Sequence, residues 1–206
     1  GQPEKLGDLN AQLSYFLKDI EIRMNTEGLL GIASGFQAID RFTGGWQATD
    51  LIIVGGASSM GKTSFALALA YNAAKHTSTP TVIFSYEMSA LQLLRRLASM
   101  ESGINNRYIT NGTLNDEELA KIHNTITEIE SLPLSIDEGN ITSLGYLVHR
   151  IKEYVKNKAA KLIMVDYLQL VTAKSKAGSR EQEVSQVTRS LKNLAKELNI
   201  TIIALS

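Results

Sequence analysis

The sequence predicts an α/β domain with a mostly parallel central sheet that is covered by helices on both faces. Short apolar runs alternate with longer segments of helical periodicity from residue 51 onward. Strands separated by helices of this length need crossover connections, which join parallel strands. The apolar runs also lack polar alternation, as expected of strands that are buried on both faces.

This alternation places five strands and five helices in order along the chain. The helix after the second strand is predicted to be capped by Ser89, a good N-cap residue. The third helix, 116–131, is predicted to have one apolar face, formed by Leu119, Ile122, Ile126 and Ile129. The predicted strands are 51–55, 81–85, 134–136, 162–165 and 201–205, and the predicted helices are 62–76, 89–101, 116–131, 143–157 and 181–199.

A further amphipathic helix precedes this core, from the N-cap Asp8 to Met24. A glycine-containing break, "NTEGLLG", follows it. The helix either packs on its own domain or is a linker arm that binds another surface. We divide the chain into a linker helix and connector, 1–30, and a core, 31–206.

Composition excludes several classes of protein. The 206 residues are 44% apolar and 20% charged, as in an ordinary globular protein. There is no cysteine, which excludes disulfides, thiolate metal sites and cysteine nucleophiles. No apolar run reaches the roughly 20 residues of a membrane span, and no signal peptide opens the chain, so a cytoplasmic protein without a membrane partner is expected. The formal net charge of +0 does not itself indicate nucleic-acid binding, although a local basic patch is compatible with it.

A glycine-rich loop carries the strongest chemical signal. Gly56, Gly61, Lys62 and Thr63 fit the pattern G-x-x-x-x-G-K-[ST], between a predicted strand and a predicted helix. In this context loop amides and a helix N-terminus face a phosphate chain. Lys62 would lie along the β- and γ-phosphates, and the Thr63 hydroxyl would hold Mg²⁺. The predicted nucleotide-binding residues are Gly56, Ala57, Ser58, Ser59, Met60, Gly61, Lys62, Thr63 and Ser64.

Acidic residues follow three other strands, at the ends where ligands bind in α/β sheets. Asp166 follows "LIMV" and is predicted to act with Thr63 on the metal side. Glu87 follows "TVIFSY" and is predicted to be catalytic, together with Lys62, by activating water; alternatively it is only an acid that is favourable near a helix N-terminus. Asp137 and Glu138 lie in "DEGN", which has ordinary turn composition and is interpreted as a turn.

Other polar and aromatic residues give weaker signals. The three histidines lie on predicted helices without metal-ligand spacing, and Arg95 and Arg96 are expected to be ion-paired or solvated. Trp46 is expected to pack beneath the glycine-rich loop. The loop 172–183 is either simply solvated or faces DNA, and its candidate DNA-binding residues are Lys174, Lys176 and Arg180.

Four stretches together resemble the RecA-like motor domain of DnaB-type hexameric replicative DNA helicases. They are "GIASGFQAIDRFTGGWQATDLIIVGGASSMGKTSFAL", "FSYEMS", "MVDYLQL" and "EVSQVTRSLKNLAKELNITIIALS". The resemblance covers the chain from about residue 31 and implies a RecA-like P-loop NTPase. It assigns Lys62 and Thr63 to nucleotide and magnesium, Asp166 to the metal side and Glu87 to activation of the attacking water.

The same resemblance implies cofactors and partners. They are ATP, Mg²⁺, single-stranded DNA in the channel of a six-membered ring, a primase and a helicase loader, with the first helix docked on the neighbouring subunit. Family members often have Arg-Pro where this chain has Ala57-Ser58. The family's sensor glutamine and arginine finger are expected beyond Ser206, so the chain is expected to be a fragment. The alternative is a RecA-like recombination or regulatory ATPase that assembles without unwinding; "DYLQL" and "S-x-E-M" favour the helicase.

Overall fold

The computed structural model describes residues 8–56, 61–139, 143–166 and 180–206, with no side-chain description for 180–183. Its centre is a five-stranded sheet in the order β1-β5-β4-β2-β3, in which every neighbouring pair is parallel. The α/β prediction is therefore confirmed. The strands are β1 Leu51–Val54, β2 Thr81–Ser85, β3 Leu134–Asp137, β4 Leu162–Asp166 and β5 Thr201–Leu205.

The helices begin and end within one residue of the predicted bounds, apart from two short helices that were not predicted. These are α2, Gln37–Thr43, and α5, Asn106–Asn111; each is followed by a glycine cap in the left-handed conformation, Gly44 and Gly112 respectively. Ser89 caps its helix as predicted. The helices are α1 Leu9–Asn25, α2 Gln37–Thr43, α3 Lys62–Thr77, α4 Ala90–Ser102, α5 Asn106–Asn111, α6 Asp116–Glu130, α7 Leu144–Lys158 and α8 Arg180–Leu198.

Helices cover both faces of the sheet. On one face Phe84 and Val165 pack in a cluster with Leu147 of α7 and Leu191 of α8. On the other face Ile83 and Met164, the strand neighbours of those residues, pack with residues of α3 and α4. Successive side chains of a strand point to opposite faces, so two covered faces favour apolar residues on both sides of a strand. This explains the missing polar alternation in the strands.

The apolar face predicted for α6 is only partly correct. Ile122 is buried against Ala98 and Ile104, and Thr125 is also buried. Leu119 and Ile126, however, are 46% and 51% exposed. Helix α6 is therefore buried along a stripe narrower than its apolar composition predicts. Ile122 faces α4, and Ile129 packs against the cluster that contains Ile83 and Met164 of the sheet.

Helix α1 buries none of its residues. Its apolar side chains are exposed, including Phe16 and Leu17. This disfavours the alternative in which the helix packs on its own domain. The chain joins the core at a bridge in which the backbone N–H groups of Ile32 and Trp46 each donate to the other residue's carbonyl, at 2.9 and 2.8 Å.

Trp46 is a packing residue, as predicted, but it does not lie beneath the glycine-rich loop. It is 8% exposed and packs with Leu69 and Ala73 of α3 and with Leu162, the first residue of β4. Helix α3 starts at the loop and runs away from it, so these contacts are at the other end of the helix. The location predicted for Trp46 was wrong because the backbone of Trp46 pairs with that of Ile32, and this contact between separate segments is not visible in the local sequence.

None of the helices in these described ranges combines the length and apolarity needed to cross a membrane.

Candidate functional site

The candidate site lies at the edge of the sheet formed by the carboxyl ends of the strands. Because the sheet is parallel, the residues that follow each strand meet at this edge. Strand β4 lies between β5 and β2, and Asp166 is opposite Ser85 in the register. Lys62, which follows β1, and Glu87, which follows β2, are therefore brought to the same edge as Asp166.

The described ends of the phosphate loop have the geometry that its glycines require. Gly61 is the N-cap of α3 and has φ of +82°, a backbone conformation that favours glycine. The reason is backbone strain and not lack of space, because an added Cβ would meet no atom within 4 Å. A Cβ on Gly56 would lie 3.3 Å from Cδ of Lys62, so this glycine allows close packing of the lysine. The predictions for Ala57, Ser58, Ser59 and Met60 lie outside the described residues.

Lys62 reaches across the edge of the sheet to β5. Its Nζ donates a hydrogen bond to the backbone carbonyl of Ser206, at 2.8 Å. Thr63 is half-buried in the first turn of α3 beside it, and Ser64 is exposed. An ammonium group and a hydroxyl thus stand at the N-terminus of a helix, where an anion is favoured.

Asp166 is a buried carboxylate at the centre of the edge. It is 2% exposed, and its Oδ2 is buried without a hydrogen-bond partner among the described residues. Burial raises the pKa of Asp166, and the nearby charge of Glu87 raises it further, whereas Lys62 and Arg96 lower it. A buried carboxylate oxygen without a partner fits a cation with oxygen ligands, and Mg²⁺ is bound in this way. Thr63 and Asp166 are the residues that would hold it.

Glu87 lies in the turn between β2 and α4, and it is exposed. Its carboxylate forms no hydrogen bond within the ranges that the structure describes. The first N–H groups of α4 are bound by other residues, that of Ala90 by Glu138 and that of Gln92 by Ser89. Glu87 does not cap this helix by a hydrogen bond among the described residues, and its catalytic role remains a prediction.

The interpretation of "DEGN" as a turn is only partly correct, because Asp137 belongs to a strand and is buried. It is the last residue of β3, is 7% exposed, and accepts hydrogen bonds from Nε and Nη2 of Arg150 at 3.2 and 2.7 Å. Burial works to raise the pKa of Asp137, but hydrogen bonds from Arg150 and from the Gly139 N–H outweigh it and lower the pKa. The missed signal is long-range, since Arg150 lies on α7.

Arg96 belongs to the site, although its helix position led us to expect ion pairing or solvation. Its Nη1 donates to Oγ of Ser64 at 3.0 Å, which links α4 to the first turn of α3. Its charge also acts on Asp166. Residues three apart lie on the same side of a helix, and Arg96 follows the buried Leu93 by three residues. This spacing is the signal that could have placed Arg96 on the side of α4 that faces α3.

The remaining candidates are not brought to this edge. His76, His123 and His149 are exposed, as expected, and no group of potential ligands for a metal ion is found in the part of the chain that is described. Lys174 and Lys176 lie outside the described residues. Arg180 begins α8, but its side chain is not described, so the DNA-binding prediction remains a prediction.

In sequence, this chain is similar to replicative DNA helicases. The sequence model of the DnaB-like helicase C terminal domain matches residues 31–206. A probable replicative DNA helicase of Trieres chinensis is 40% identical over 195 residues, which cover 94% of this chain and 43% of that protein. The replicative DNA helicase DnaB of Pasteurella multocida is 41% identical over 202 residues, which cover 95% of this chain and 43% of that protein. The chain thus spans less than half the length of these relatives.

Solved structures show the same similarity. One solved ATPase domain superposes with a TM-score of 0.88 at 29% identity and covers 98% of this chain and 72% of that chain. A DnaB-like replicative helicase, described with its interactions with primase, has a TM-score of 0.84 at 29% identity and covers 100% of this chain and 49% of that chain. A KaiC-like protein of Pyrococcus horikoshii OT3, at 21% identity and a TM-score of 0.60 over 85% of this chain and 70% of that chain, shares the fold alone. With its family match and its RecA-like sheet, this chain belongs to the DnaB-like helicase C-terminal domain family.

Proposed function

We propose that the carboxyl edge of the sheet binds ATP with Mg²⁺ and hydrolyses it. The convergence of Lys62, Glu87 and Asp166 on this edge is the observation that carries the proposal. Each residue follows a different strand. Lys62 supplies a positive charge for phosphates, Glu87 an exposed carboxylate, and Asp166 a buried carboxylate that can face a metal ion.

Each residue has a separate role in the reaction. Lys62 leaves the Ser206 carbonyl and binds the β- and γ-phosphates, with the loop residues 56–61 around them. Thr63 and Asp166 hold Mg²⁺, which when bound neutralises charge on the phosphate oxygens. Glu87 accepts a proton from the attacking water or orients it, as a positioned base does. Arg96 keeps Ser64, and with it the first turn of α3, against α4.

We further propose that hydrolysis drives a replicative DNA helicase along single-stranded DNA and separates the duplex. The proposal rests on the replicative helicases among the relatives and on the motifs "S-x-E-M" and "DYLQL". Six copies would form a ring in the cytoplasm. Residues 1–30 act as a linker, because the apolar face of α1 is exposed and available to a neighbouring copy. A primase and a helicase loader are the expected protein partners.

Strand displacement tests this function directly. The full-length protein should release a labelled strand from a forked DNA duplex in the presence of ATP and Mg²⁺, and Glu87→Gln should abolish that release. ATP hydrolysis that depends on DNA but displaces no strand would support the alternative, a RecA-like recombination or regulatory ATPase. Displacement that survives in Glu87→Gln would contradict the role of this carboxylate.

A further inference from the structure

The turn that carries Glu87 is short and is held on both sides. At the end of β2, Oγ of Ser85 donates to the carbonyl of Met88 at 2.8 Å. At the start of α4, Ser89 and Gln92 form a reciprocal capping box, with hydrogen bonds of 3.3 and 2.9 Å. The backbone around Glu87 is therefore fixed while its own side chain is exposed.

A third contact comes from the neighbouring strand. In the β2–β3 pair Phe84 is opposite Asp137, so Glu138 follows at the sheet edge beside the turn. Oε2 of Glu138 accepts the N–H of Ala90, the first residue of α4, at 2.5 Å. A carboxylate at this position also interacts favourably with the helix dipole.

The backbone that carries Glu138 is anchored in turn. Asp137 is buried and held by Arg150, and its Oδ1 accepts the N–H of Gly139 at 2.9 Å. A Cβ at residue 139 would lie 2.9 Å from that same oxygen, so a side chain here would require the Asp137 carboxylate to shift. Glu138 is thus placed by residues on both sides and is not simply a solvated acid.

The start of α4 is a place where two carboxylates compete. Helix N-termini attract acidic side chains, and Glu87 lies only three residues before Ala90. Because Glu138 occupies the Ala90 N–H and Ser89 occupies that of Gln92, the carboxylate of Glu87 is left without a hydrogen bond among the described residues. A carboxylate that capped the helix would be turned away from the phosphates.

We propose that Glu138 is a positioning residue that occupies the N-terminus of α4 and so keeps the Glu87 carboxylate free to activate water. This inference rests on the proposed ATP hydrolysis. Glu138 acts through an oxygen that accepts the Ala90 N–H, and the amide oxygen of a glutamine should do the same. An alanine would leave that N–H without a partner, so the Glu87 carboxylate should bind it instead.

The test compares Glu138→Ala with Glu138→Gln in steady-state ATP hydrolysis by the full-length protein with single-stranded DNA. Glu138→Ala should lower kcat about tenfold, less than the roughly 10²–10⁴-fold effect of losing a positioned base. The dissociation constant of ATP should not change, and Glu138→Gln should keep kcat within about threefold of the wild type, since only the charge contribution at the helix end is lost. Glu117→Ala is the matched control. It removes an exposed acid from the first turn of a different helix, α6, and should leave kcat unchanged.

Glu87→Gln in the same assay separates the two proposals. If the full-length wild type does not hydrolyse ATP, the proposed function is wrong. If Glu87→Gln is as active as the wild type, hydrolysis stands, but the role of Glu87 and with it the positioning role of Glu138 are wrong. If Glu87→Gln is slow but Glu138→Ala equals the wild type, only the positioning role is wrong. The role is also overturned if Glu138→Gln is as slow as Glu87→Gln, since Glu138 would then act through its charge. In the Glu87→Gln background, Glu138→Ala should add no further loss, because the two changes affect one step.

Discussion

Replacement of Arg150 by methionine should destabilise the domain by leaving Asp137 charged and buried. The carboxylate is 7% exposed and would retain the hydrogen bond from the Gly139 N–H and the one with the Tyr154 side chain, but no opposite charge from Arg150. Breaking a buried ion pair by removing one partner costs about 3–5 kcal/mol. We expect a loss of about 3 kcal/mol, at the lower end, because the Arg150 side chain is itself 32% exposed and that backbone hydrogen bond remains.

Thermal and urea unfolding at pH 7 measure this loss. For a chain of this size about 3 kcal/mol corresponds to a fall in Tm of roughly 6–12 °C. The double variant Asp137→Asn/Arg150→Met should recover most of the stability, because it removes the buried charge as well as its partner.

The pH dependence of this loss has a defined sign. In the wild type the pKa of Asp137 is lowered, so the pair stabilises the fold at neutral pH and this stabilisation is lost as the pH falls below the ordinary value of 3.8. Without Arg150, burial raises the pKa of Asp137, so acidification protonates the carboxylate earlier and the difference between variant and wild type shrinks. A loss below about 1 kcal/mol at pH 7, or a double variant no more stable than Arg150→Met, would refute the account of this pair.

Two further predictions concern turnover and DNA. Glu87→Gln should leave ATP binding nearly intact and slow hydrolysis by roughly 10²–10⁴-fold, measured as phosphate release with DNA present. If Asp137→Asn slows turnover and Glu87→Gln does not, the wrong carboxylate has been assigned. Replacing Lys174, Lys176 and Arg180 together should weaken binding of single-stranded DNA and flatten its salt dependence by about 0.7 log units for each lost phosphate contact. An unchanged slope in fluorescence anisotropy titrations would mean that this loop is simply solvated.

Periodicity was enough to predict the architecture, and strand-end chemistry was enough to group the residues of the candidate site. Strands of three to five residues separated by amphipathic segments have few arrangements other than a covered parallel sheet. Once the sheet is parallel, the residues that follow β1, β2 and β4 must meet at one edge, so Lys62, Glu87 and Asp166 could be grouped without knowledge of the strand order.

The features that the sequence analysis missed depend on contacts between distant elements. Asp137 has the same local context as an ordinary turn residue, and only Arg150 of α7 makes it a buried structural acid. The role of Arg96 depends on how closely α4 lies against α3. Leu119 and Ile126 follow a helical period correctly, yet they are exposed because no element of the described structure covers that side of α6. Periodicity identifies a face that could be buried, but not whether another element packs on it.

The most direct measurement is the titration of a fluorescent ATP analogue in the presence of Mg²⁺. The wild type should bind it, and Lys62→Ala should abolish productive binding, because it removes the positive charge beside the β- and γ-phosphates. Lys121→Ala, which removes an exposed lysine on α6, is the control and should bind as the wild type does. Equal affinity of the wild type and Lys62→Ala would contradict the central claim that the carboxyl edge of this sheet is the nucleotide site.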